Sequence, residues 1–245
     1  MIADVTPITF GRLLGVEIRK STDTRSSRVL LGGVLALFVF VLVWKLTHGE
    51  IPVSFENYGA AVATIAGFFA PIVGLLAMTS EWTQRTALTT FTLAPRRLPV
   101  IAAKLVGAIV VSLATLAVGI AMAYGATALG GAIHGHATYA HALTDIRASV
   151  ILTVLQVVMA SAFGALTAHT ASALVITLMA PTIWAQVSPE LLGRNAPWFD
   201  VFRAYDRLYS THPFDHLGQT LTAVALWVVL PAAIGIARCV RREVK

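Results

Sequence analysis

Six long apolar stretches divide this 245-residue chain, and they leave it little choice of fold. They run from about Val29 to Leu46, Tyr58 to Met78, Val100 to Leu129, Ser149 to Thr167, Ala171 to Val187 and Leu221 to Ala237. Crossing ~30 Å of hydrocarbon takes about 20 helical residues. In lipid a segment must satisfy its own backbone polar groups, and a helix does so. The charge supply agrees, with 12% of residues charged and 57% hydrophobic, about half the ~25% that covers a soluble domain. The expected fold is therefore an all-α integral membrane protein with six transmembrane helices. A soluble enzyme, a disordered chain and a disulfide-stapled secreted domain are excluded, the last because Cys239 is the single cysteine. The third stretch is long enough to tilt or to project beyond the hydrocarbon. The fifth is short and contains Pro181, and Pro71 and Pro231 also fall inside spans.

Residues 1–28 form a separate segment ahead of the transmembrane domain, 29–245. It does not read as a cleavable signal peptide, since 28 residues precede the first apolar run and no small-residue cleavage site follows. Thr6-Pro7 is a helix-start signal, and Phe10, Leu13, Leu14 and Ile18 then recur on one helical face with Arg12, Arg19 and Lys20 off it. An amphipathic helix on the membrane surface is expected, leading through Arg25 and Arg28 into the first span.

With six spans both ends of the chain share a side, and the charges sort accordingly. Thirteen of the 18 basic residues fall in the N-terminal segment, the Arg85–Lys104 connection and the C-terminal tail. That face carries a formal net charge of +8 and the other −2, which together give the chain's +6. The positive-inside rule then places both termini in the cytoplasm, here of a bacterial plasma membrane. The pI of 9.9 is accounted for by topology and calls for no nucleic-acid partner.

The connection over residues 79–99 is polar, yet between Glu81 and Ala94 it holds neither Gly nor Pro. Thr79 or Ser80 can cap a helix there, Glu81 suits its first turn, and Pro95 would end it before Arg96-Arg97. Its arginines have two readings, as simple topology signals or as part of a docking element for a cytoplasmic partner. Glu81 at the end of the second span, Arg85-Thr86, Pro95-Arg96-Arg97 and Lys104 in the third span resemble, in order and spacing, the signature of type-2 ABC transporter permeases. Glu17-Ile18-Arg19-Lys20 with Arg25 and Arg28 similarly resembles that family's amphipathic connecting helix. One departure is Arg85, which stands where many members have Gly.

The resemblance implies a stiff coupling helix, with Glu81, Arg85, Thr86 and Arg96 at the interface with an ATPase and Glu17 and Lys20 in the connecting helix. His169, in the turn between spans four and five, would make a second, smaller contact. It also implies the partners: two ATP-binding ABC subunits, which would carry ATP and Mg, and a second permease, identical or related. Membrane lipid surrounds the pair, and this chain itself would hold no cofactor. An exported substrate of lipophilic character (drug, lipid or peptide) would cross between permeases, with Gln156 and Gln186 as sparse polar groups on its path.

Residues 188–220 are too polar to span and mix aromatic residues, acids and arginines, as short external interfacial helices do. They would cap the pathway or serve as an anchor alone. His134, His136 and His141 in one loop, and His212 and His216 in another, lack the cysteine or carboxylate company of a metal site. No Gly-x-x-x-x-Gly-Lys-Ser/Thr sequence occurs in the chain. Glu56, Glu81 and Asp145 sit at span ends rather than at mid-membrane, where a proton-coupled carrier keeps its carboxylates. These absences favour an energy source on another subunit and no enzymatic activity in this one. The rival expectations are an ATP-independent secondary transporter and a membrane scaffold or immunity protein.

Overall fold

A computed structural model describes residues 9–48, 53–83, 97–210 and 212–241. Helix α1 spans Phe10–Asp23, α2 Arg25–His48, α3 Phe55–Thr83, α4 Arg97–His134, α5 Ala142–Thr167 and α6 Thr170–Leu192. A 3-10 turn over Gly193–Trp198 leads to α7, Val201–Tyr209. Next come α8, Leu217–Val224, a π turn over Ala225–Val229, and α9, Leu230–Arg241. Among the described residues there is no strand beyond an isolated bridge between Ser54 and Thr138. Six helices are long and apolar enough to cross a membrane, namely α2, α3, α4, α5, α6 and the joined α8–α9. The protein is a multi-pass membrane protein.

Two helices make the centre. The α3–α5 contact is the most extensive in the bundle; α4 packs on α3, and α9 packs on α5. Close approach is made possible by glycine. A Cβ on Gly74 would stand 2.6 Å from the Val157 carbonyl oxygen, and Ser161 Oγ donates to the Gly74 carbonyl at 3.1 Å. Gly119 of α4 leaves room for the fully buried Phe38 of α2, whose ring would stand 2.9 Å from an added Cβ. The sequence also offers Gly32-Gly33 for such contacts, but within this chain both meet open space.

Several boundaries differ from the sequence expectation. The third span is a 38-residue helix, about 57 Å long at 1.5 Å per residue, so it projects well past the hydrocarbon. The second span does not stop at Met78 to begin a new helix: α3 continues to Thr83. Thr79 is an internal residue, not a cap, and its hydroxyl donates to the Leu75 carbonyl at 2.9 Å. A threonine four residues past an available carbonyl can bond backwards and continue the helix. The rest of the expected coupling helix, with Arg85, Thr86, Pro95 and Arg96, lies outside the described residues, as does Thr6-Pro7. In the last span the Leu230 N–H bonds to the Ala225 carbonyl, five residues back, just before Pro231. Proline has no N–H to donate and its ring crowds the carbonyl four residues earlier, so a widened turn there relieves both problems. Residues 188–220 do contain short helical pieces, as expected, although α6 itself runs on to Leu192.

Helix α1 does not simply lie on the membrane. It packs along α4 through the face that holds Leu13, Leu14, Glu17 and Ile18, and Gly107 of α4 is where the Glu17 backbone comes close. Phe10 and Val16 remain exposed to the surroundings.

Candidate functional site: a charged junction and a lateral cavity

At the end of the bundle that carries α1, four charged side chains meet. Glu17 and Lys20 are three residues apart on α1 and therefore share a face. Glu81 lies in the last turn of α3, and Lys104 is in the second turn of α4. Lys104 Nζ stands 2.8 Å from Glu81 Oε1 and 3.2 Å from Glu17 Oε2. Lys20 Nζ stands 2.9 Å from Glu81 Oε1 and 3.0 Å from Glu17 Oε1. Three of the four side chains are 10% exposed or less, and Lys20 is 47% exposed.

Taking such groups out of water costs several kcal/mol each, and only close pairing offsets it. Here each ammonium bridges the same two carboxylates, so the set is closed and formally neutral. Burial alone would lower the Lys20 pKa, but its bonds to Glu81 and the charge of Glu17 outweigh that and hold it above the ordinary lysine value. The consequence is mechanical: three helices are tied at one point. Helix α1 cannot slide along α4, nor α3 turn against either, without separating buried charges.

The same turn of α3 is held from its other side by hydroxyls. Thr170 Oγ1, at the first residue of α6, lies 2.9 Å from Thr79 Oγ1 and 3.0 Å from Thr83 Oγ1. His169 caps α6, its Nδ1 accepting from the Ser172 N–H at 3.5 Å and lying 3.3 Å from Ser172 Oγ. Arg97, at the start of α4, donates to the carbonyls of Cys239 and Val240 at the end of α9. Thr83 and Arg97, the described residues on either side of 84–96, are thus both anchored to neighbouring helices.

The structure therefore brings Glu17, Lys20 and Glu81 into one cluster and puts His169 beside the Thr170 contact, while Arg85, Thr86 and Arg96 lie outside the described residues. Lys104 is the member whose pairing the sequence did not give away. It was visible as a charge inside an apolar run, and an ionisable group in such a place needs a partner.

A second feature lies deeper, between α3, α5, α6 and α7. It is a cavity of about 620 Å3, walled by Gly67, Phe68, Pro71, Met159, Pro181 and Phe202 among others, with no charged residue in its lining. Gln156 and Thr177 also line it, and the Gln156 Oε1 and Thr177 Oγ1 atoms are buried with no hydrogen-bond partner among the described residues. Phe68 and Thr182 are exposed, so the cavity opens sideways. Gln186 is exposed and lies outside the lining of this cavity.

Helix α7 roofs this cavity with Phe202, Tyr205 and Tyr209. Its start is fixed by Asp200, which accepts from the N–H groups of Phe202 and Arg203 at 2.9 and 3.3 Å. Just before it, the Phe199 carbonyl accepts two indole N–H groups, from Trp184 at 3.1 Å and Trp227 at 2.8 Å. Its end is held by Arg207, which donates to Gln219 and Thr220, and by Tyr209 Oη, 3.1 Å from Ser149 Oγ. Burial pushes the Tyr205 phenol far above its ordinary pKa, so it stays a neutral wall group. Such a cavity suits a mostly apolar molecule with one or two hydrogen-bonding groups.

No family model, no curated protein and no solved structure matches the chain.

Proposed function

We propose that this chain is the membrane-spanning permease subunit of an ATP-driven ABC exporter. The observation that carries this reading is the Glu17–Lys20–Glu81–Lys104 cluster. It joins a peripheral helix to the two spans that bracket residues 84–96, the segment whose Arg85-Thr86 and Pro95-Arg96 resemble a docking signature. A force applied to that segment by a partner would reach α1, α3 and α4 together, and through Thr170 also α6.

On this reading the α1 end and both termini are cytoplasmic, and ATP and Mg bind two partner subunits. Two permeases, identical or related, pack side by side. Glu81 then works as a buried strut beneath the docking segment, since its carboxylate is turned toward Lys20 and Lys104. The sideways-opening cavity gives a lipophilic substrate a place to rest, and the buried Gln156 and Thr177 oxygens select for hydrogen-bonding groups on it.

The test is a tagged pull-down from native membranes in mild detergent, with mass spectrometry of every co-purifying chain. A P-loop ATPase in roughly equal amount is the expected result. Recovery of this chain alone, under conditions that keep other membrane complexes intact, would remove the partner on which the reading depends and favour an ATP-independent transporter.

A further inference from the structure

A cleft of about 570 Å3 opens at the α1 end between α1, α2 and α3, and the transport reading makes no use of it. Its wall changes character with depth. Toward the membrane interior it is apolar, made by Leu30, Leu31, Val73, Leu76 and Ala77. Beyond Leu31 and Val73 it narrows to a seam with room for only about 10 Å3, so the apolar half has a floor. Its mouth is polar, with Lys20 and hydroxyls that include Ser26, Ser27, Ser80 and Thr83.

The charge at the mouth also has a direction. Glu17 and Glu81 reach the lining, but both are already engaged by two ammonium groups. Lys20 uses two of its three N–H groups on those carboxylates and is half exposed, which leaves a donor for an incoming anion. The first turn of α2 lines the same mouth, where Thr24 Oγ1 accepts from the Ser27 N–H at 3.2 Å. The N-terminus of a 24-residue helix adds a partial positive charge there.

An anion alone would leave the apolar half uncovered, and a hydrocarbon alone would desolvate the hydroxyls and the ammonium. We propose that the cleft holds one anionic phospholipid from the leaflet at the α1 end. Its phosphate sits on Lys20 and the first turn of α2, and part of one acyl chain lies along Leu30, Leu31 and Leu76. Basic groups beside membrane helices attract anionic lipid in this way. The inference does not rest on an ATPase partner and holds for any function of the bundle.

Native mass spectrometry tests it, on full-length protein released from nanodiscs of equal parts phosphatidylglycerol and phosphatidylcholine. Wild type is expected to retain one phosphatidylglycerol per chain, several-fold over phosphatidylcholine, and added inorganic phosphate should not displace it. Leu31→Trp fills the apolar half and should abolish retention. Lys20→Gln should keep a lipid but lose the preference between headgroups. Val39→Trp, on an exposed part of α2 outside the lining, should behave as wild type. Ser27→Trp blocks the mouth and replaces Leu31→Trp if that variant fails gel filtration. The inference is overturned if wild type retains no lipid, retains both lipids equally, or if a folded occluding variant retains as much as wild type.

Discussion

Replacing Lys104 with methionine isolates the charged junction, because methionine keeps most of the unbranched side chain and removes the ammonium with its charge and N–H donors. The ammonium stands 2.8 Å from one buried carboxylate and 3.2 Å from another. At an effective dielectric of ~20 each such attraction is worth about 4 kcal/mol or more, while the several kcal/mol spent desolvating the lysine are recovered. The net loss for breaking a buried set by removing one member is about 3–5 kcal/mol. At about 2–4 °C per kcal/mol for a chain of this size, the midpoint should fall by about 10 °C. Tryptophan-fluorescence melting of the detergent-solubilised protein reads this directly. The sharper test is the double variant. Lys104→Met with Glu17→Gln restores neutrality, leaving Glu81 and Lys20 as one pair, and should regain more than half of the loss. Two variants that simply add, or a Lys104→Met protein within about 0.5 kcal/mol of wild type, the scatter of an ordinary surface substitution, would refute the account of the junction.

Three further outcomes follow from other sites. Gly74→Val puts a side chain where a Cβ already meets the Val157 carbonyl at 2.6 Å; the protein should lose its monodisperse gel-filtration peak, since that nearest obstacle is backbone and cannot swing aside. Gln156→Leu removes a buried acceptor that has no partner among the described residues. It should leave stability unchanged or raise it by about 1 kcal/mol, while retention of hydrogen-bonding lipophilic probes falls in an equilibrium binding assay. Lys20 is held protonated by the fold, so its contribution is fully present below the free-lysine value of 10.5 and is lost as pH rises through its raised value. The melting difference between wild type and Lys20→Met should stay constant from neutral pH up to 10.5, shrink above it, and be gone once the pH passes the raised value.

The six spans were legible because lipid fixes the length and composition of a crossing helix independently of its neighbours. Which side of each helix faces inward was not. In a soluble protein a polar stripe marks the outward face, but a helix that meets lipid on one side and protein on the other is apolar all round. That is why nothing in the sequence separates Gly32-Gly33 from Gly74, or Gln186 from Gln156, although one of each pair faces away from the chain's own core. The junction was half legible. Glu17, Lys20 and Glu81 stood out by kind and position, but their closure through Lys104 joins residues up to 87 apart, which no local period reports. The capping role expected of Thr79 failed for a local reason, since its hydroxyl had a carbonyl of its own helix to bond.

The neutrality of the junction has an electrical meaning. A membrane potential does about 2.3 kcal/mol of work per 100 mV on each elementary charge carried across it. Two carboxylates and two ammonium groups that move as one body present no net charge to that field. The junction itself therefore adds nothing to the work that the voltage does on the ends of α1, α3 and α4; whatever coupling they have to the potential comes from the other charges they carry, such as Arg19 and Arg97.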